Sequence, residues 1–421
     1  MRKYSLKYAA IKKPGKLLFC RFLLCALCGG ISALMLFSCV SIKPEALEKI
    51  EKGAKIPGVE AKAKKDAILL TFTGDIMAHE VNFRMNDYDE IYADITAITK
   101  NDDLTFANFE APVDESRPYE TYPTFNVKNA YADAAIKAGF DVFSTANNHT
   151  NDQGKDGIIA TTNYFASKKR HKVYFAGTKL EENGPLSFAL IDVRGWKVLF
   201  VAVTELLNSP RSKGHIDFIA PTQKERAAFV QTVRDLRAQN KCDLFVLSIH
   251  TSEEEYVEAV AASRREYYYA LLDAGVDILW ANHPHIAREW CLVENAKTSR
   301  VNKFIIYSNG NTISGQRSKP AYTKPETARD YTGDSYMFLV KAEKSAEKNT
   351  GAPTEEGAPI TLEVQPVLIT THIDSERRYI IKRLTDEFIA SFPKDAQPDL
   401  GAYYSERKRL MEKIPQTRIS R

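Results

Sequence analysis

The chain has 421 residues, 44% of them hydrophobic and 27% charged, an ordinary globular composition that excludes a fibrous repeat, a disordered chain and a multi-span membrane protein. A chain this long buries a core without disulfide staples. The formal charge is +4, but residues 1–38 hold seven basic side chains and no acids, and without those seven it is −3; the body makes no global case for nucleic acid as a partner.

The N-terminus reads as an address. A basic stretch leads into seventeen uncharged residues, 22–38, the layout of a secretory signal. Leu36-Phe37-Ser38-Cys39 is similar to a bacterial lipobox, with Phe37 where a small residue is preferred. Cleavage there makes Cys39 an acylated first residue and gives a peripheral lipid anchor. An uncleaved anchor helix and an ordinary cleaved signal are the alternatives, and all three place the body outside the cytoplasm. Residues 39–66 are rich in Lys, Glu, Ala and Pro and read as a tether with a short helix over 45–52. Only Cys242 and Cys291 remain for the body, too few for a disulfide framework.

From residue 68 short apolar runs alternate with amphipathic segments. Strands are expected at 68–73, 104–108, 142–145, 173–176, 188–193, 198–203, 244–249, 276–280 and 304–308, several apolar throughout, as strands covered on both faces are. Helices are expected at 90–99, 130–138, 155–168, 223–239 and 259–274. Such alternation predicts an α/β sandwich, with an antiparallel hairpin around Arg194-Gly195 making the sheets mixed. Residues 341–359 read as a flexible insertion, 360–371 as a strand or hairpin, and 375–392 and 399–412 as helices packed on the same body.

Unusual polar residues cluster at strand ends: Gly74-Asp75, Asn108-Phe109-Glu110, Asn147-Asn148-His149 with Asp152, His250, Asn282-His283-Pro284-His285, and Asn309-Gly310-Asn311. Ligand sites of α/β sheets lie beyond the carboxyl ends of strands, so these segments predict one converging site. Carboxylates, an amide and imidazoles without thiolate suit manganese, iron or zinc. Asp75, Glu110, Asn148, His250, His283 and His285 exceed what one four-coordinate ion needs, so two ions are expected. Each also has a plainer reading: Asp75 as a cap, Asn147 and Asn148 as turn residues, His250 as a hydrogen-bonded core histidine. His283 and His285 straddle Pro284, which fixes the turn. His171, His215 and His372 are expected on the surface or in turns.

In order and spacing these segments resemble the CapA family, the poly-γ-glutamate capsule biosynthesis proteins, from about residue 68 to 311 and more loosely to 371. The family's segments GD, NxE, ANNHxxDxG, a strand-ending His, GxHPH and YSLGNF correspond to Gly74-Asp75, Asn108 to Glu110, Ala146 to Gly154, His250, His283 to His285, and Tyr307 to Asn311. The family's HWGxEY is here His250-Thr251-Ser252-Glu253-Glu254-Glu255-Tyr256, one residue longer and without Trp or Gly, and Asn309 replaces leucine. The resemblance extends to calcineurin-like metallophosphatases, which implies a four-layer αββα sandwich with a two-metal centre. It implies Asp75, Glu110, Asn148, His250, His283 and His285 as ligands and His149 as the group assisting the leaving group. Asn108, Asn147, Asp152, His79, Asn309 and Asn311 become supporting or substrate-facing residues. Met77 stands where that superfamily has a histidine, His79 is two residues further on, and Glu110 is a methylene longer than the usual aspartate. Two functions follow as expectations: an exported metal-dependent hydrolase of a phosphoester or amide, or a non-catalytic component that binds an anionic polymer such as polyglutamate beside membrane-bound synthesis proteins. An exported phosphoesterase acting on envelope or nucleotide substrates is a third. The basic runs 168–172 and 377–378 could assist polymer binding, although solvated helix ends are their plainer reading.

Overall fold

The central strands of this chain are nearly continuous apolar runs, and the sheets they form are covered on both faces. The computed structural model describes residues 66–344 and 359–421. In chain order the strands are β1 (Ala67–Ile76), β2 (Leu104–Phe109), β3 (Val142–Ser144), β4 (Tyr174–Ala176), β5 (Phe188–Val193), β6 (Trp196–Thr204), β7 (Leu244–His250), β8 (Ile278–Asn282), β9 (Trp290–Glu294), β10 (Val301–Ile306), β11 (Asn311–Ile313), β12 (Asp334–Lys344), β13 (Ile360–Ile373), β14 (Tyr379–Arg383) and β15 (Gln416–Ser420). One sheet runs β14-β13-β12-β1-β2-β3-β4, with β11 beside β1; the other runs β15-β9-β10-β8-β7-β6-β5. Both are mixed: β1, β2, β3 and β4 pair in parallel while β12 joins β1 antiparallel, and β6, β7 and β8 are parallel while β5 closes an antiparallel hairpin.

Alternation along each strand makes the layers. Val198, Phe200 and Ala202 of β6 face the other sheet and pack with Ile68, Leu70 and Phe72 of β1. Leu199, Val201 and Val203 face outward onto Phe229, Val233 and Leu271 of the helices Gln223–Gln239 and Ala262–Asp273. The period of two thus divides one apolar run between two cores. Between the sheets the Phe72 and Phe106 rings stack at 4.5 Å, and Phe200 meets Phe106 edge-on at 5.7 Å. Each such buried ring contributes about 1.5–3 kcal/mol. Trp280 of β8 donates its indole N–H to Thr73 O of β1 at 2.9 Å, joining the sheets beneath the strand ends. On the outer face of the first sheet, Phe165 of the helix Gly154–Ser167 packs on Phe109 and Phe143. The architecture is the expected four-layer sandwich of mixed sheets.

Several local expectations are corrected. The segment 375–392 is not one helix: β14 pairs with β13, and a helix restarts at Asp386–Ala390 under the Thr385 cap, whose hydroxyl accepts from Phe388 N. The helix 399–412 is present as Leu400–Met411 with Asp399 as its cap, but the chain then continues as β15 beside β9. The segment 90–99 forms two short turns, Asp89–Tyr92 and Thr96–Thr99. Residues 341–344 are strand rather than insertion, since Lys341 to Lys344 pair with Glu363 to Ile360; the rest of that insertion is 345–359, of which 345–358 lie outside the described residues. The signal segment 1–38, Cys39 and the tether up to residue 65 lie outside them too. No helix among the described residues is long and apolar enough to cross a membrane.

Candidate metal centre

Convergence begins with backbone contacts. Asp75 sits near the end of β1, and Gly74 before it lies against Gly310, where a Cβ would stand 1.7 Å from the Gly310 carbonyl oxygen. Only glycine permits that approach, which lets Asp75 N donate to Gly310 O at 3.2 Å. Asn108 and Glu110 come from the end of β2, His250 ends β7, and His283-Pro284-His285 follows β8. His283 (φ 105°) and His285 (φ 57°) both hold left-handed backbone, as does Tyr256 (φ 62°). Such residues cost of order 1–3 kcal/mol each and persist where surrounding structure fixes them.

The ligand-type atoms form three overlapping groups, each within 4.8 Å: Asp75, Glu110 and His285; Glu110, His250 and His283; and Glu255, His283 and His285. Glu110 belongs to two of them. Its Oε1 lies 3.8 Å from His250 Nε2 and 3.7 Å from His285 Nε2, beyond hydrogen-bond reach. Asn108 donates to Asp75 Oδ1 at 2.7 Å and to Glu110 Oε2 at 3.0 Å, aligning the two carboxylates. Asn148 Oδ1 is 2.8 Å from His250 Nε2, at the rim of the same groups. Asn311 Oδ1 is 3.0 Å from His285 Nδ1, which leaves Nε2 facing Glu110.

The electrostatics are uncompensated. Burial pushes the Glu110 carboxyl well above the usual carboxylate range, and Asp75 and Glu255 add like charge. Burial, then neighbouring imidazoles, holds His250 and His283 well below the ordinary histidine value. That environment disfavours the imidazolium form and so favours a free ring lone pair. Glu110 Oε1 and His283 Nδ1 are buried without a hydrogen-bond partner. Buried polar atoms are normally satisfied, and a divalent cation satisfies carboxylate oxygen and imidazole nitrogen together. The residues present therefore fit a divalent metal.

Beside the groups, His149 Nδ1 is 2.6 Å from Asp152 Oδ2, which also accepts from Phe125 N at 2.7 Å. This pairing fixes the ring and leaves Nε2 toward the cleft. Two other residues from the strand ends hold scaffold. Asn309 donates to Phe72 O and Tyr336 O and accepts from Trp280, while Asn147 donates to Phe109 O and accepts from His149 N within its turn. His79 is outside the three groups; its Nδ1 accepts from Gly315 N at 3.1 Å, and burial, with His285 next, lowers it to about 3. His215 and His372, expected on the surface or in turns, are both buried, His215 in the 3-10 turn Lys213–His215 and His372 in the strand β13; His372 is caged by Phe388, Phe392 and Tyr404 and bonds the Tyr404 hydroxyl. Glu255 was not foreseen. Three consecutive glutamates offer no distinction by type, but Glu253 is held by Arg288 at 2.8 Å, and Glu205 by Arg226 and Arg264 at 2.7 and 2.6 Å. That arginine cluster anchors the loop after β7 and leaves Glu255 beside His283 and His285.

Two facing mixed sheets, helices outside, and a carboxylate–imidazole cluster at the strand ends define a metallophosphatase-like α/β sandwich. The family model described as "Bacterial capsule synthesis protein PGA_cap" matches residues 69–316, and the chain belongs to that family. "Capsule biosynthesis protein CapA" of Bacillus anthracis is 24% identical over 263 residues, 60% of this chain and 61% of that protein. "PGA biosynthesis protein CapA" of Bacillus subtilis (strain 168) is 25% identical over 258 residues, 60% of this chain and 64% of that protein. The chain thus spans somewhat less than two thirds of these curated relatives. A crystal structure of a hypothetical protein from Thermus thermophilus superposes with a TM-score of 0.37 at 16% identity, covering 71% of this chain and 99% of that one.

Proposed function

We propose that this chain is an exported metal-dependent hydrolase acting on a phosphoester or amide within a capsule polymer system, held at the membrane by lipid on Cys39. The observation that carries the metal-dependent part of this reading is the pair of orphaned buried atoms, Glu110 Oε1 and His283 Nδ1. Asp75, Glu110, Asn148, His250, His283 and His285 would hold the metal, two ions of manganese, iron or zinc, through their carboxylate, amide and imidazole groups. Divalent ions in such a shell supply polarisation of a substrate oxygen and activation of water near neutral pH. Asn108 keeps both carboxylates aligned, and Asn311 keeps the His285 ring oriented. His149, its Nδ1 held by Asp152, is the group placed to pass a proton to the leaving group through its other ring nitrogen. Full-length protein should retain metal and His285→Ala should lose much of it, with cleavage of chromogenic phosphodiesters or γ-glutamyl peptides on adding Mn²⁺. Absence of metal from both proteins, with failed reconstitution, would refute the reading.

A second reading has its own support: both curated relatives are named for biosynthesis. In it the metal centre binds polymer carboxylates during synthesis or export, beside membrane-bound partners, and cleaves nothing. Salt-sensitive polyglutamate binding without turnover of either substrate class would favour it.

A further inference from the structure

The metal-ligand groups open into a cleft of about 580 Å³ whose wall includes His79, Glu255, His285, Lys319 and Arg329. Arg329 and Lys319 lie beyond the residues the family model matches. Arg329 is exposed and forms no ion pair with any described residue. Its guanidinium lies 4.7 Å from the centre of the Tyr256 ring, which in turn lies 6.2 Å from the His285 ring. Tyr256 is fixed from both ends: its N donates to Pro284 O at 2.9 Å, and its hydroxyl accepts from Gln316 Nε2 at 3.2 Å.

The segment that presents Arg329 is held from beneath. Asp330, the next residue, is buried and accepts from Ala321 N and from the Tyr403 hydroxyl, each at 3.0 Å. Arg317 donates to Asp330 O at 3.1 Å and to Asp334 Oδ1 at 2.8 Å. A solvent-facing cation that lies over an aromatic platform, is in no ion pair among the described residues and is carried by a buried ion network, is preorganised to receive an anion, even with the Glu255 carboxylate on the same wall. No residue of the basic runs 168–172 and 377–378 lines this cleft; Lys168 pairs with Asp133, and Arg378 with Asp374 and Glu90.

We propose that Arg329 is a specificity-determining residue that grips a fixed anionic group of the substrate, a carboxylate or a phosphate, beside the group held at the metal centre. Lys319 on the same wall adds charge without fork geometry. The proposal rests on the reading of this cleft as the substrate site, and it deepens that reading by naming what the site selects.

The test uses full-length protein reconstituted with Mn²⁺ and three probes: a glutamate hexamer, inorganic tripolyphosphate and a neutral glutamine hexamer. Arg329→Gln should weaken binding of an anionic probe about tenfold and flatten its salt dependence. Arg329→Lys should recover part of the loss. Binding of the glutamine hexamer and the metal content should stay as in the wild type. The anionic probe that loses more identifies the carboxylate or the phosphate as the selected group. Unchanged binding of both anionic probes, equal loss for the neutral one, or loss of metal from Arg329→Gln would each overturn the assignment. If neither protein turns over any substrate while the anion effect persists, the hydrolytic reading fails and the specificity assignment stands.

Discussion

Asp334 and Glu110 are both fully buried carboxylates, and their surroundings are opposite. Asp334 takes Arg317 Nη1 at 2.8 Å, Arg407 Nε at 2.6 Å and the Thr370 hydroxyl at 2.6 Å. Despite its burial, the arginines hold its carboxyl below the ordinary carboxylate range. Glu110 has one amide donor from Asn108, two acidic neighbours and imidazoles it does not touch, and its carboxyl is raised. Where this protein uses a charge for structure it supplies the counter-charge itself. At the strand ends it supplies ligands and leaves the counter-charge to come from outside.

Removing the partner of a settled charge should have the largest effect. Asp334→Ala strands two buried guanidinium groups and should destabilise the protein by about 3–5 kcal/mol, read as a fall in denaturation midpoint with or without metal. A loss under about 1 kcal/mol would show that the arginines relax to solvent, and the contrast with Glu110 would collapse.

Glu110→Gln should do the reverse. It removes a like charge from beside Asp75 and Glu255, so the metal-free variant should be at least as stable as the wild type. Wild-type protein at a metal concentration a hundred times Kd should gain about 2.7 kcal/mol, a gain the variant lacks. Thermal scans with and without Mn²⁺ measure both halves. A metal-free variant clearly less stable than the wild type would mean that Glu110 is a structural carboxylate like Asp334.

Asn311→Ala tests the support around the ligands. Losing the contact to His285 Nδ1 should lower metal affinity about 10–100-fold, measured by competition with a chelating dye. Unchanged affinity would show that Asp75, 3.1 Å from the same nitrogen, orients the ring alone.

Legibility in the sequence followed the same division. The strands that carry the site stood out because their apolar runs are continuous and end in Asp, Asn or His. β9, β11, β12 and β15 did not, because they are short or carry polar residues: β15 alternates exposed and half-buried positions, and Asp334 of β12 is satisfied by arginines far away in the chain. β14 was hidden inside a segment that reads as a helix until Thr385 caps a new one. His283 and His285 were legible by type and spacing. Glu255 and Arg329 were not, because both depend on side-chain pairing in loops: Glu255 on which glutamate the arginines take, Arg329 on the network beneath Asp330.

The smallest expected effect concerns a third way of settling a buried carboxylate, by proton. Asp102, just before β2, is largely buried near Asp103 and Asp141, and burial raises it to about 8 even though it accepts from the Thr105 hydroxyl at 2.6 Å. The folded state therefore holds a proton that the unfolded chain releases near pH 4. The stability this group contributes is complete below about pH 4 and is lost as pH rises through about 8. Asp102→Asn imitates the protonated form at every pH. It should nearly match the wild type at pH 4 and exceed it by about 1 kcal/mol at pH 9, less than the full shift because water reaches part of the side chain. Urea denaturation at the two pH values reads the difference. An offset that stays the same at both would mean that Asp102 is ionised in the fold and balanced by charge, as Asp334 is.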